Sequence, residues 1–460
     1  MAERKLIAGA PIRRLRRRAG LSQAAMAEML GISPSYLNLV ERNHRPVSAT
    51  LLVALAEQFD FDPRTLAAAE PGGGAAAIRR RLADPMFADL EVDRAEVDEW
   101  LAAAPGGAEA FARAFDRAGG GEAGVAVSDP VAEVRREVER WRNHFGDLDA
   151  LAESLADDLR LAAADLYGAM IERLRVRHGL SLRILPVDVL AGTLRRLDLH
   201  ARQLQLSEAL DHPARCLAVA VELARLEART EIEALARGAG FADRVAERLM
   251  RRHLAEYFAR AVLMPYARFL RACEGSGYDL DLLTARFGTG FEDVAHRLTT
   301  LGRVGARGLP VCLIRIDRAG QASYRFAGPT GAPMVAAAGR CPLWQIHHAF
   351  DRPGTTLIQR VELEDGTRWL TLSRAVAPPA GAALGVAAGF AIGLALPVEQ
   401  AGGLAAARGL DLGGPATPIG LGCRACLRAD CPQRSAPPAG RALLVNDREQ
   451  RASAYDFAGD

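Results

Sequence analysis

Cysteine is scarce in this chain, with seven in 460 residues. That is too few for a disulfide scaffold. Net charge is nearly absent too, +2 overall, and by itself it singles out no partner. No repeat of solenoid type runs through the sequence, and no Gly-rich phosphate loop is visible. The first dozen residues carry charge but no apolar run long enough for the core of an export signal. A cytoplasmic location with reduced thiols is therefore the expectation. One stretch, residues 375–398, carries no charge and is long enough to span a bilayer. Pro378, Pro379, Gly381, Gly385, Gly389 and Gly393 break it up, and Ala supplies most of the rest. It reads better as a buried strand or two with turns, and no membrane partner is expected.

What is present is an ordinary globular composition, 50% hydrophobic and 25% charged, which excludes a disordered or collagen-like chain. The length suggests about three domains. Charge is unevenly placed. Residues 1–50 hold nine Lys/Arg against three acids, a basic head on a mildly acidic body, which points to a polyanion partner at the N-terminus. Residues 6–70 read as short helices, and PGGGAAA (71–77) as a flexible joint. Residues 71–128 read as a linker with helical pieces, interrupted at 105–107 and 119–121. Asp129-Pro130 opens a helical domain, 129–305, with Val131, Val134, Val138 and Trp141, then Leu148, Leu151, Leu155 and Leu159, at helical spacing. After Gly308-Leu309-Pro310 the period changes. Residues 311–316 and 356–361 are β-rich, giving a β-containing domain over 306–460. The predicted fold is mainly α with a β-containing C-terminal domain.

The head predicts a helix from Pro11 to Arg18, a break at Gly20, and a second helix from Gln23 to Leu30 capped by Ser22. After a tight turn at Gly31-Ile32, a third helix runs to Glu41, with Ser33 as N-cap and Pro34 at its first position. Ala27, Ile32 and Leu37 stand where a helix-turn-helix packs its helices together. Two further helices are expected from about Val47 and Pro63. The run GLSQAAMAEMLGISPSYLNLVERNHRPVSATLLVALAEQF resembles the lambda-repressor-like, Xre-type DNA-binding bundle. The resemblance implies that the third helix enters the major groove. Ser35, Tyr36 and Asn38 at its start would then face base edges, and the N-cap Ser33 counts with them among the DNA-binding residues. Arg13, Arg17, Gln23, Arg42, Asn43 and Arg45 would hold phosphates of a double-stranded operator. Arginine suits both tasks, because its fork meets phosphate or guanine acceptors bidentately. The plainer alternative is a helix-turn-helix used only for protein contact.

Residues 217–227 and 253–265 resemble the two core helices of ImmA/IrrE-type metalloproteases. Such enzymes need HExxH, two His one helical turn apart on zinc beside a Glu base. Here the run is Val221-Glu222-Leu223-Ala224-Arg225, so Val221 and Arg225 replace both ligands. The acidic ligand is also missing, with Arg251, Arg252 and His253 in its stretch. The expectation is a retained fold with no catalytic zinc and no enzyme activity, Glu222 being a surface or salt-bridged helix residue. Residues 282–298 read as a packed helical hairpin through Leu282, Leu283, Phe287, Phe291, Val294 and Leu298, not as a second DNA reader.

The sharpest chemical feature is Cys423-x2-Cys426-x4-Cys431, preceded by Gly420 and Gly422. Three thiols within nine residues can wrap one metal centre. Spacing alone does not separate zinc from an iron–sulfur cluster. Zinc wants a fourth ligand, for which Cys341 or His347 is available. A 4Fe–4S cluster usually takes four cysteines. His347 and His348, beside Trp344 and Phe350, also read as ordinary core or surface histidines. Cys216, Cys273 and Cys312 sit in apolar runs and read as buried packing thiols.

Several motifs lie in one order along nearly the whole chain: the N-terminal reader, MPYARF (264–269), YDLDLLTARFGTGFEDVAHRLTTL (278–301), RCPLWQIHHAF (340–350) and PIGLGCRACLRADCPQR (418–434). Together they resemble the short-chain fatty acyl transcriptional regulators. The resemblance implies a dimeric regulator of propionate- or acetate-type carbon metabolism that senses a short-chain acyl-CoA. It also implies a 4Fe–4S cluster on Cys423, Cys426 and Cys431, with Cys341, inside a matching motif, as the candidate fourth ligand. Relatives often carry Cys where this chain has Phe390, which would alter the cluster if that Cys were a ligand. Two rivals remain at the level of sequence: an iron–sulfur redox or iron sensor that binds no acyl-CoA, and a DNA-targeted metalloprotease.

Overall fold

A computed structural model of the chain describes residues 9–41, 45, 47–59, 74–82, 87, 90, 92–118, 129–162, 165–190, 192–376, 389–446, 448–449, 453 and 455–458. The chain divides into two units, one of residues 1–125 with 437–450 and 455–460, the other of residues 126–436 with 451–454.

In the first unit, α1 (Gly9–Arg18), α2 (Gln23–Met29), α3 (Pro34–Glu41) and α4 (Ala49–Phe59) enclose a small core of Ile12, Met26, Ala27, Leu37, Val40 and Leu55. Local chemistry sets the boundaries. The Ser22 and Ser33 hydroxyls accept from the N–H of Ala25 and Tyr36, both at 3.1 Å, and Gly20 and Gly31 take positive φ after α1 and α2. The helix expected from Pro63 lies outside the described residues, as do positions 71–73 of the expected joint. Residues 74–77 of that joint open a helix. Indeed α5 (Gly74–Leu82), α6 (Arg94–Ala103) and α7 (Pro105–Ala118) pack on one another around Ile78, Val97, Ala108 and Ala112.

The second unit begins with α8 (Pro130–Arg140), whose N-cap is Asp129, then α9 (Gly146–Ala162) and α10 (Leu166–His178). Of the expected apolar stripe on α8, Val138 is buried, but Val131 and Trp141 are exposed. Helix does not then continue unbroken. A three-stranded sheet intervenes, with β1 (Ser181–Leu185), a single turn α11 (Val187–Leu190), β2 (Arg195–Asp198) and β3 (Gln203–Ser207) in the order β1-β3-β2. Its strands hold four or five residues each, and β1 is mostly exposed, so little alternation marks them. Next come α12 (His212–Glu227), α13 (Arg229–Gly238) and α14 (Arg244–Leu263), with α12 and α14 at the centre of the largest core.

The next helices, α15 (Tyr266–Ser276), α16 (Leu280–Phe287) and α17 (Phe291–Leu298), cover one face of a six-stranded sheet. Its strands are β4 (Cys312–Ile316), β5 (Ala322–Phe326), β6 (Leu357–Glu362), β7 (Arg368–Val376), β8 (Phe390–Pro397) and β9 (Thr417–Pro418), in the order β5-β4-β8-β7-β6-β9. The hairpin expected over 282–298 is present, although Leu282 is exposed. β7 and β8 account for the uncharged stretch, residues 377–388 lying outside the described set. β8 shows why that stretch is rich in small residues. Ile392, Leu394 and Leu396 face the helices, whereas Ala391 and Ala395 face the other side, where Trp344 and Ile346 pack. Gly393 shares that side, and a Cβ there would stand 2.6 Å from Ile346 Cδ1. A short ribbon of β10 (Leu443–Leu444) and β11 (Asp456–Phe457) belongs to the first unit. Among the described residues no helix is long and apolar enough to cross a membrane.

Candidate functional site

In the N-terminal bundle the second and third helices stand as a helix-turn-helix requires, with Ala27 and Leu37 fully buried between them. Ser33 and Ser35 are exposed, and Tyr36 and Asn38 half-buried. The Ser33 hydroxyl is already engaged as the cap of α3. Arg17 and Arg45 are exposed, while Arg42 and Asn43 lie outside the described residues. Two other expected phosphate contacts have internal partners. Gln23 Nε2 donates to Glu41 Oε2 at 2.8 Å, and Arg13 donates to the Glu41 carbonyl. Glu41, 2% exposed, also receives Arg16 Nε at 2.6 Å. Burial alone pushes the Glu41 carboxyl up, but its bonds to Arg16 and Gln23 hold it below the ordinary carboxylate range. Glu41 thus ties the end of α3 to α1 and α2.

In the protease-like region, Glu222 is 2% exposed and paired with Arg195 of β2. It is salt-bridged, as expected, but it is not a surface residue. Val221 is buried and Arg225 exposed. His253 donates from Nε2 to Asn143 Oδ1 at 3.2 Å. Burial pushes its pKa down to about 4, so its ring is neutral at neutral pH.

Sequence reasoning did not single out the polar centre beside it. Asp149 of α9 and Arg297 of α17 are both fully buried and pair at 2.6 Å. Tyr257 donates to the second carboxylate oxygen at 2.7 Å, and Arg297 reaches the Met264 carbonyl and Thr300 Oγ1. The RL of VAHRL looked like one more turn of amphipathic helix; only the fold reveals which arginine turns inward.

The C-terminal cysteines are drawn together by backbone. Gly339 and Gly422 touch, since a Cβ on Gly422 would stand 3.0 Å from Gly339 Cα. That contact seats the Arg340-Cys341 loop against the segment leading into Cys423. A Cβ on Gly420 would stand 2.6 Å from both Cβ and Sγ of Cys426. Burial raises the Cys341 thiol pKa, and Cys431 and Cys423 raise it further; burial also raises that of Cys426, with Cys341 among its neighbours. So Cys341 does share the neighbourhood of the three clustered thiols. Nothing similar links His347 to them: its pKa is lowered by burial, then by His348 and Arg340.

One backbone N–H, that of Ser435, donates to Cys423 Sγ at 3.4 Å, and the backbone N–H groups of Gly420 and Leu343 at Cys341 and of Arg428 at Cys426 offset part of the rise that burial causes. That is the donor pattern a thiolate centre uses to hold negative charge. Arg434, 5% exposed, fastens the loop through the carbonyls of Cys423 (3.1 Å), Cys426 (3.2 Å) and Arg428 (2.6 Å). The residues present therefore fit a thiolate-bound group. Among the described residues, however, no three His, Cys, Asp or Glu side chains already form a closed ligand set. Phe390 begins β8, whereas the cysteine loop adjoins the β6 end that pairs with β9, through Leu427 N–H to Glu364 at 2.7 Å and Ile419 N–H to the Glu362 carbonyl. The register places Pro397, not Phe390, toward that end, so Phe390 stands about 20 Å along the strand from it at ~3.3 Å per residue. Cys216, Cys273 and Cys312 are buried as expected, their pKa values pushed up by burial to about 11, about 12 and about 12.

Of the cavities among the described residues of the second unit, two are roomy. One, of about 440 Å³, lies among α8, α14, α17 and the β4–β5 hairpin and sets Val131, Val134 and Val138 opposite Arg252, His296 and Tyr324. The other, of about 790 Å³, is a cleft lined by Arg160, Arg268, Arg271 and Arg286.

Comparison with known proteins finds three family models along the chain. They are a helix-turn-helix over residues 12–66, an IrrE N-terminal-like domain over 175–299, and the C-terminal domain of short-chain fatty acyl coenzyme A regulators over 300–455. The HTH-type transcriptional regulator RamB of Mycobacterium tuberculosis is 34% identical over 98% of both chains. The propionyl-CoA carboxylase regulator of Cereibacter sphaeroides is 36% identical over 98% of this chain and 99% of its own. The HTH-type transcriptional regulator PrpR of M. tuberculosis is 32% identical over 98% and 96%. A solved Mycobacterium tuberculosis transcriptional regulator superposes with a TM-score of 0.67 at 32% identity, covering 71% of this chain and 99% of its own.

Proposed function

The chain belongs to the short-chain fatty acyl coenzyme A regulators, as a helix-turn-helix transcriptional regulator, and on that premise we propose that a short-chain acyl-CoA sets its affinity for an operator. The observation that carries this reading is the union, in one chain, of a helix-turn-helix with the C-terminal domain named for acyl coenzyme A. The relative named as a regulator of propionyl-CoA carboxylase points the effector toward propionyl-CoA and its close homologues. In this reading α3 enters the major groove, with Ser35, Tyr36 and Asn38 at base edges. Arg17, Arg42, Asn43 and Arg45 meet phosphates, and the internal bonds of Arg13 and Gln23 shape the bundle. A dimer presents two such helices, and the effector acts by binding two arrangements of that dimer unequally. Relatives that are transcriptional regulators, together with the loss of both HExxH histidines, leave no place for the metalloprotease alternative.

Cys423, Cys426, Cys431 and Cys341 are the residues that would hold a 4Fe–4S cluster, which when bound supplies a one-electron redox couple. The chain's part is to gather four thiols, direct backbone N–H groups at them and keep the loop closed with Arg434.

A gel shift on DNA upstream of the protein's own gene and its neighbours, with and without propionyl-CoA, tests the regulatory reading. A shift whose midpoint moves with the thioester is expected; a midpoint indifferent to it overturns the effector. Anaerobic purification tests the cluster. A brown preparation is expected, with colour lost in Cys423→Ser and Cys341→Ser and kept in Cys216→Ser. A colourless protein with one zinc per chain, lost in Cys423→Ser, would show a zinc knuckle instead.

A further inference from the structure

The cleft of about 790 Å³ is unusual in its charge. Arg160 stands in the last turn of α9 and Arg286 in the last turn of α16, while Arg268 and Arg271 occupy one side of α15. Four guanidinium groups thus border one space. Only Arg268 has a carboxylate partner among the described residues, Asp157 at 2.9 Å, and that pair is open to solvent. Arg271 donates its Nε to the Ala267 carbonyl at 3.2 Å. Arg160 carries an NH1 that is shielded from solvent and has no hydrogen-bond partner among the described residues. The helix dipole favours cations at the ends of α9 and α16, but it does not account for the two arginines on α15 or for the buried donor.

An arrangement of this kind is stable when an anion shares it. The guanidinium fork matches phosphate oxygens bidentately, and a space of this volume holds far more than one phosphate. The remaining wall is apolar, with Leu166, Leu263 and Phe287. Phe287 is itself held edge-on by Phe269, their ring centres 5.4 Å apart. A ligand suited to both walls carries several phosphates next to a flat, weakly polar ring.

We propose that this cleft seats the phosphorylated adenosine end of the coenzyme A thioester. The inference rests on the acyl-CoA reading above and adds where the effector's charge is met. Arg271 and Arg286 hold phosphate oxygens at the rim, Arg160 supplies the shielded donor within, and the apolar wall takes the adenine. The acyl group plays no part in this contact, so the cleft fixes affinity for coenzyme A as a class and leaves chain-length choice to another part of the molecule.

The test uses full-length protein and calorimetric titration with propionyl-CoA, its 3′-dephospho analogue, and adenosine 3′,5′-bisphosphate as competitor. Wild-type protein is expected to prefer propionyl-CoA to the dephospho form and to release it to the bisphosphate. Arg271→Glu and Arg286→Glu, both at exposed positions, are each expected to weaken propionyl-CoA by roughly tenfold or more and to narrow the preference for the 3′-phosphate. Arg229→Glu, on α13 and paired there with Glu233, changes the same net charge and is expected to leave binding unaltered. If the two cleft variants bind propionyl-CoA as tightly as wild type, the cleft is not the seat, and the acyl-CoA reading stands. If wild type binds no acyl-CoA, that reading and this inference fall together. If Arg229→Glu weakens binding as much as they do, the effect is one of overall charge and the site is withdrawn.

Discussion

A carboxylate with no exposed surface persists only where its charge is answered, and Asp149 is answered by Arg297, Tyr257 and His144. Burial pushes its pKa up, yet Arg297 and the hydrogen bonds from His144 and Tyr257 outweigh burial and hold it below the ordinary value. Arg297→Met strips the main partner and leaves a buried charge, which is expected to cost about 3–5 kcal/mol in denaturant unfolding. Adding Asp149→Asn to Arg297→Met is expected to recover part of that loss. If the single variant melts like wild type, the pair contributes nothing. The pH dependence has a definite sign. With a lowered folded pKa, the stabilisation from Asp149 is fully present above its unfolded pKa of about 4 and is lost as pH falls through the folded value. Below about pH 4, therefore, wild-type stability should fall more steeply than that of Asp149→Asn.

Among the elements, α3 and α1 divide the proposed work of reading and holding DNA. Asn38→Ala is expected to relax base preference at one operator position by about 1–3 kcal/mol. Arg17→Ala is expected to weaken all sequences alike and to lower the salt slope by about one. Titrations against operator and scrambled DNA at several salt concentrations separate the two, and a uniform loss from Asn38→Ala would remove it from the base edges. These helices were legible because their signals are local: Ser22 and Ser33 as caps, Pro34 at a first turn, Gly20 and Gly31 at the breaks. The sheet of β1, β2 and β3 was not, because a strand such as Ser181–Leu185 has no fully buried face to write an alternating pattern. β8 was partly legible: its lack of charge marked a buried strand, but its Ala and Gly positions acquire meaning only against Trp344 and Ile346. The clustering of Cys423, Cys426 and Cys431 was legible from their spacing. Cys341 carries no spacing signal and joins them through the contact of Gly339 with Gly422. Nothing in the sequence tied Arg160 of α9 to Arg286 of α16, since only the packing of separate helices brings them to one cleft.

For the whole molecule, the proposed reading is a dimer with two reading helices. Footprinting on the operator is expected to show two half-sites about 34 Å apart, or a multiple of that spacing, in an inverted repeat. A single protected half-site would mean that a monomer binds. The cysteine loop bears on how such a regulator could be reset. Its carbonyls are gathered by Arg434, a permanent cation supplied by the chain, and the Ser435 N–H already faces the Cys423 sulfur. A finger whose shape is imposed by its ion unravels when that ion leaves. This loop is braced from within by Arg434, so departure and return of the proposed cluster would not need to pass through an unfolded segment. If the proposed cluster binds here, its occupancy would then behave as a reversible setting, read and rewritten many times in the life of one polypeptide.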